Sequence, residues 1–154
     1  MRKVLGILLL CFFANNAIGQ EVANCKSPKG KAYYFNMGIV PATKAGWDDD
    51  KISGGAITLT KQGNDFDVLY FDVTKKITSS RASGAVVQPL RIGEKNFTLM
   101  VYYANDTIEL YTFAIENSGA KTMHLIQSKG GESPIQKSSV LIAECATINF
   151  ELLK

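Results

Sequence analysis

Histidine and tryptophan occur once each in this chain of 154 residues, and cysteine only three times. Each scarcity removes a class of chemistry. The lone histidine, His124, has no second histidine or cysteine at the spacing a zinc site requires. It lies between Met123 and Leu125 in a strand-like run, with no Gly-x-Ser-x-Gly elbow elsewhere to supply a nucleophile. No Cys-x-x-Cys pair is present, so no redox motif is written in the chain. The glycines of Ser53-Gly54-Gly55-Ala56 and Ser83-Gly84-Ala85 lead into strand patterns. A phosphate-cradling loop needs a helix at that point. No cofactor motif and no metal-ligand cluster rises from the sequence.

Charge of one sign is also lacking. Lys and Arg number 17 against 14 Asp and Glu, and they form no block. Nucleic acid and anionic membrane surfaces are held by clustered basic residues, so neither is an expected partner. No apolar run in the body of the chain approaches the length that crosses a bilayer.

What is present begins with an address. Arg2 and Lys3 precede the apolar run Val4 to Phe13, and Ala17-Ile18-Gly19 offers small residues where a signal peptidase reads. That layout is a secretory signal peptide over 1–19, with cleavage expected after Gly19 and a single domain over 20–154. The leader contains two of the basic residues and no acid, so the remaining charge is close to zero. An exported chain, periplasmic or extracellular, sits in an oxidising compartment. Cys11 falls in the leader, which leaves Cys25 and Cys145 as an even pair near the two ends of the domain. A disulfide between them closes nearly the whole chain and is worth roughly 5 kcal/mol at most in the chain-entropy model.

The domain reads as strand after strand. Runs rich in Val, Ile, Thr, Tyr and Phe cover 31–36, 56–61, 66–73, 83–90, 97–103, 107–116, 121–128 and 138–150, broken by Gly, Asn, Asp and Ser. Ser27-Pro28-Lys29-Gly30 reads as a turn into the first of them. Segment 38–51 reads as a loop containing Trp47 and a solvated Asp48-Asp49-Asp50, and it shares with 74–82 the room for a short helical turn. Short connections favour antiparallel neighbours. About eight such strands close into a small all-β up-and-down barrel, with a two-sheet β-sandwich as the alternative. The Cys25–Cys145 bridge then joins the first and last strands at closure.

Strand parity singles out the candidate site. Glu109 shares a face with Tyr111, Phe113 and Ile115, and Asp72 shares one with Phe66, Val68 and Tyr70. An acid that interrupts an apolar face is costly unless it is hydrogen-bonded or faces a ligand. Asp72, Glu109, Tyr103 and Tyr111 are therefore the expected ligand-binding residues. Adjacent aromatics such as Tyr33-Tyr34-Phe35 place one ring on each sheet face, so some tyrosines line a cavity or a recognition surface. Asn96-Phe97-Thr98 and Asn105-Asp106-Thr107 match the glycan acceptor pattern, relevant only in a eukaryotic secretory route.

These observations favour an exported, non-enzymatic binding protein. It would hold a small molecule in the barrel or a partner protein on a tyrosine-bearing sheet, as a periplasmic inhibitor or immunity-type protein does. A small hydrolase or isomerase using the strand carboxylates is one alternative, and a surface-assembly subunit is another.

Overall fold

The computed structural model describes residues 19–71 and 76–153. The expected signal peptide lies outside the described residues apart from Gly19, as does Asp72. The described residues form ten strands: β1 Gln20–Tyr34, β2 Gly46–Lys51, β3 Ala56–Gln62, β4 Asp65–Phe71, β5 Ile77–Ser79, β6 Val86–Ile92, β7 Asn96–Tyr103, β8 Thr107–Ile115, β9 Lys121–Lys129 and β10 Lys137–Ile148. They form one antiparallel sheet in the order β5-β4-β3-β1-β10-β9-β8-β7-β6, with β2 on the side of β1. The sheet curls on itself into a half-barrel. From β3 to β5 and from β6 to β10 chain neighbours are sheet neighbours, the meander that short turns dictate, whereas β2 does not pair with β3 nor β5 with β6.

β1 and β10, the first and last strands, meet in the middle of this order. Cys25 and Cys145 are cross-strand partners and form a disulfide with an S–S distance of 2.03 Å. Gly30 is also packed against β10. A side chain there would place its first carbon 2.0 Å from the Val140 carbonyl oxygen, so only glycine permits this approach.

Three local expectations are corrected. β1 starts at Gln20, ahead of the anticipated Lys31, because the Ser27-Pro28 turn is a bulge inside one long strand, with Ser27 at φ 51°. The bulge splits the free side of β1 between two partners: β3 pairs with its first half and β2 with its second. Consequently residues 46–51, expected as the end of a loop, are a strand. Ile52 N–H to the Pro28 carbonyl (2.8 Å) and Ser27 N–H to the Gly55 carbonyl (2.9 Å) stitch the β2–β3 break to the bulge. Finally, Ile77–Ser79 is a short strand, and the strand expected from Ser83 begins at Val86 because 80–84 is a turn. The short helical turn anticipated in 38–51 is present as a 3₁₀ turn at Ala42–Lys44.

β4, next to the short end strand β5, and β6 at the other end of the curled sheet approach without strand pairing, and the 80–84 turn closes the gap. Arg81 donates from Nε to the Phe66 carbonyl at 2.5 Å and from Nη2 to the Val87 carbonyl at 3.1 Å. Ser80 Oγ donates to the Val68 carbonyl at 2.8 Å. Behind this clip the Phe66 and Phe97 rings lie 4.9 Å apart.

Alternation then fills the interior. Phe97, Leu99 and Val101 of β7, Tyr111 and Phe113 of β8, Met123 and Leu125 of β9, and Ile57 and Leu59 of β3 are fully buried. Each such side chain contributes about 1.5–3 kcal/mol through burial. Proline 89 sits on β6, the last strand of the sheet, next to a register shift, where its missing N–H costs no ladder bond.

Candidate functional site

The apolar filling stops toward one end of the half-barrel. Along β8 the inward positions run Phe113, Tyr111, Glu109, Thr107, and along β9 they run Met123, Leu125, Gln127, Lys129. Polar residues replace apolar ones at the same level because Glu109 and Gln127 are cross-strand partners. Both are buried, at 4% and 7% exposure.

Glu109 is the centre of a hydrogen-bond network. Its Oε2 accepts from Tyr111 Oη at 2.8 Å and from Tyr70 Oη. Its Oε1 accepts from Gln127 Nε2 at 2.5 Å. The Tyr70 and Tyr111 hydroxyls also contact each other. Tyr103 extends the chain of hydroxyls, donating to Ser80 Oγ at 3.1 Å. Among the described residues Glu109 accepts three hydrogen bonds, which its carboxylate form can take. Such charge-assisted bonds stabilise by about 1.5–3 kcal/mol each and offset its burial.

Beside this network lies a cavity of about 350 Å³ whose wall includes Tyr70, Tyr103, Asp106, Glu109, Gln127 and Lys129. Ile52 and Thr78 complete the wall from the β2–β3 break and from β5. Asp106 is held in the β7–β8 turn by backbone bonds from the β9–β10 loop: Gly130 N–H donates to the Asp106 carbonyl and Glu132 N–H to the Asn105 carbonyl, each at 2.8 Å. Gly131 makes that docking possible, with φ 54° and space for no side chain, since a first carbon would stand 2.1 Å from the Asn105 carbonyl oxygen.

Burial, then the neighbouring negative charge of Glu109, pushes the Tyr70 phenol well above its ordinary value. Burial dominates at Tyr111 too, followed by repulsion from Tyr70 and Glu109. Tyr103, half-buried, is raised chiefly by burial. All three remain protonated donors near neutral pH. A proton shuttle works best with a pKa near the operating pH, so these phenols are suited to holding rather than to acid–base transfer.

Of the residues expected to bind a ligand, Tyr103, Glu109 and Tyr111 are brought together. Tyr103 and Glu109 face the cavity, and Tyr111 stands behind, holding Glu109. Asp72 lies outside the described residues. Tyr70, Gln127, Asp106 and Lys129 were missed. Gln127 had the same signal as Glu109, a polar residue on an apolar strand face. Tyr70 was visible only as a companion of Asp72.

The other sequence candidates are placed elsewhere. His124 is half-buried on the outer face, with Nε2 3.4 Å from Thr122 Oγ1. Asp48, Asp49 and Asp50 alternate along β2. Asp49 pairs with Lys31 at 2.6 Å on the outer face, and Asp50 pairs with Lys137 at 2.5 Å on the inner one. Among the described residues no group of three or more His, Cys, Asp or Glu is placed to hold a metal. No helix of the described residues is long and apolar enough to cross a membrane. Of the six tyrosines, Tyr34, Tyr70, Tyr103 and Tyr111 point inward, while Tyr33 and Tyr102 lie on the outer face of different strands. The chain matches no protein-family model, and comparison with curated proteins and with solved structures returns no similar one.

Proposed function

We propose that this is an exported, non-enzymatic binding protein that takes a small polar ligand into the cavity at the open end of its half-barrel. The observation that carries the proposal is Glu109, a buried carboxylate held by three neutral donors on the wall of a cavity of about 350 Å³. Cavities of roughly 300–1,000 Å³ with a few convergent polar groups are the usual dimensions of small-molecule sites. The leader-like N-terminus and the disulfide support an oxidising, periplasmic or extracellular location. The inward distribution of tyrosines favours a ligand inside the sheet over a partner protein on its face. The raised phenol pKa values favour binding over catalysis.

Native mass spectrometry of the secreted protein, purified without reductant, tests this. The expected result is a chain starting at Gln20, lighter by the two hydrogens of one disulfide, that carries an added small-molecule mass. Thr78→Trp, which fills the cavity from its rim, should abolish the added mass without lowering the thermal midpoint. A bare chain whose midpoint no small-molecule library raises would overturn the reading.

A further inference from the structure

Among the described residues the half-barrel contains two tyrosine–carboxylate clusters, and one of them shows what completes such a cluster. On β1 and β2, Tyr34 Oη donates to Asp50 Oδ1 at 3.3 Å. There the chain supplies its own cation: Lys137 Nζ lies 2.5 Å from Asp50 Oδ2 and 5.4 Å from the centre of the Tyr34 ring. At Glu109 the tyrosines and the carboxylate are present, but among the described residues the acid has no ion pair. Lys129 is the cross-strand neighbour of Lys137 and lines the cavity, yet it forms no ion pair with Glu109.

We propose that the ligand carries a compact organic cation, an ammonium or guanidinium head, seated against Glu109 as Lys137 is seated against Asp50. This rests on the binding reading above and names its ligand class. The acceptors are in place. Glu109 Oε2 already takes two donors and Oε1 only one, so Oε1 keeps a free lone pair. Gln127 has turned its amide nitrogen to Glu109, which leaves its amide oxygen as an acceptor. Among the described lining residues Asp106 adds a second negative charge, against the single positive charge of Lys129. An anionic ligand meets two carboxylates here, and a neutral one leaves the buried charge of Glu109 uncompensated. The same head arises from a free amine or from a lysine or arginine side chain of a polypeptide.

The test titrates the oxidised domain with n-butylammonium and ethylguanidinium, and in parallel with butanol and butyrate, following amide chemical shifts. The cations should shift cavity residues, butanol should bind at least about tenfold more weakly, and butyrate should not bind. Glu109→Gln should weaken cation binding by about tenfold or more, with circular dichroism confirming the fold. Two rim variants keep the test decisive if Glu109→Gln unfolds. Lys129→Met should tighten cation binding about threefold, and Asp106→Asn should weaken it about threefold. Butanol or butyrate binding as well as the cations, or Lys129→Met weakening them, overturns the cation proposal while leaving a binding cavity. Failure of all four probes to bind overturns the cation proposal, and the native mass measurement then decides separately whether the cavity takes another ligand. A blocked tripeptide with central lysine or arginine that binds more tightly than the bare head assigns the head to a polypeptide. Weaker binding assigns it to a free amine.

Discussion

The Asp50 and Glu109 clusters occupy neighbouring stretches of one inner wall, and they use the same parts differently. Both set a carboxylate against a tyrosine hydroxyl inside a β-sheet. At Asp50 the carboxylate meets Lys137, and both side chains are largely buried, at 11% and 14% exposure. Burial of the two charges is tolerated because they neutralise each other at close range. At Glu109 no cation arrives from the described residues. Three neutral donors surround the carboxylate, and a cavity adjoins it. The first arrangement holds β1, β2 and β10 together. Under the proposed binding reading, the second keeps a charged group available to a ligand rather than neutralising it within the fold. A tyrosine and an acid on facing strands are thus not by themselves a site. What distinguishes the two is whether the fold delivers a counter-charge.

The largest expected effect removes the frame on which both clusters are built. Cys25→Ser or Cys145→Ser should cost about 2–5 kcal/mol under oxidising conditions, measured by denaturant unfolding. An unchanged unfolding midpoint would mean that the β1–β10 pairing holds without the bridge. The next prediction separates the clusters. Lys137→Met strands Asp50 without its cation and should cost about 2–4 kcal/mol. Asp50→Asn in the same chain should recover much of that loss. Glu109→Gln should change stability by no more than about 1 kcal/mol, because the tyrosine donors keep an oxygen acceptor and a buried charge is removed. Equal losses for Lys137→Met and Glu109→Gln would erase the distinction between a structural acid and the proposed ligand-binding one.

The smallest effect appears only in alkali. Tyr70 and Tyr111 are raised above 10.0, the ordinary phenol value, so the folded state keeps protons that the unfolded chain releases. Their contribution is fully present below about pH 10 and declines above it, by up to about 1.4 kcal/mol per pH unit for each phenol. Tyrosinate absorbance should therefore lag for these two side chains until unfolding begins. The Tyr70→Phe, Tyr111→Phe pair should flatten the decline, and a titration of all tyrosines near pH 10 in the folded protein would contradict their burial.

Much of the architecture was legible in local pattern. The alternation Tyr111, Phe113, Ile115 around Glu109 puts that acid on an apolar face, because successive side chains on a strand take opposite faces. The same parity separates Tyr102 from Tyr103 and Tyr33 from Tyr34. The bridge partners followed from setting Cys11 aside with the expected leader. Strand 46–51 was not legible. Trp47-Asp48-Asp49-Asp50 has no apolar alternation, and its pairing depends on Lys31 and Lys137, which lie far off in the chain. The bulge at Ser27-Pro28 was read as a turn for a related reason. A break in local strand character looks the same whether the chain reverses or continues past a register shift.

By itself, then, the sequence determined the all-β class, the run of short antiparallel strands and the disulfide pair, and it singled out Glu109 as an acid that interrupts an apolar strand face. All of these follow from side-chain parity, turn chemistry and the count of cysteines, which are properties of neighbouring residues. Only the tertiary structure decided which acid received a cation. Lys137 and Asp50 are 87 residues apart and meet because β1 carries β2 on one side and β10 on the other. Lys129, one strand further along, is left facing the cavity. Charge compensation inside a protein depends on a few ångströms between distant segments, and cross-strand register sets that distance.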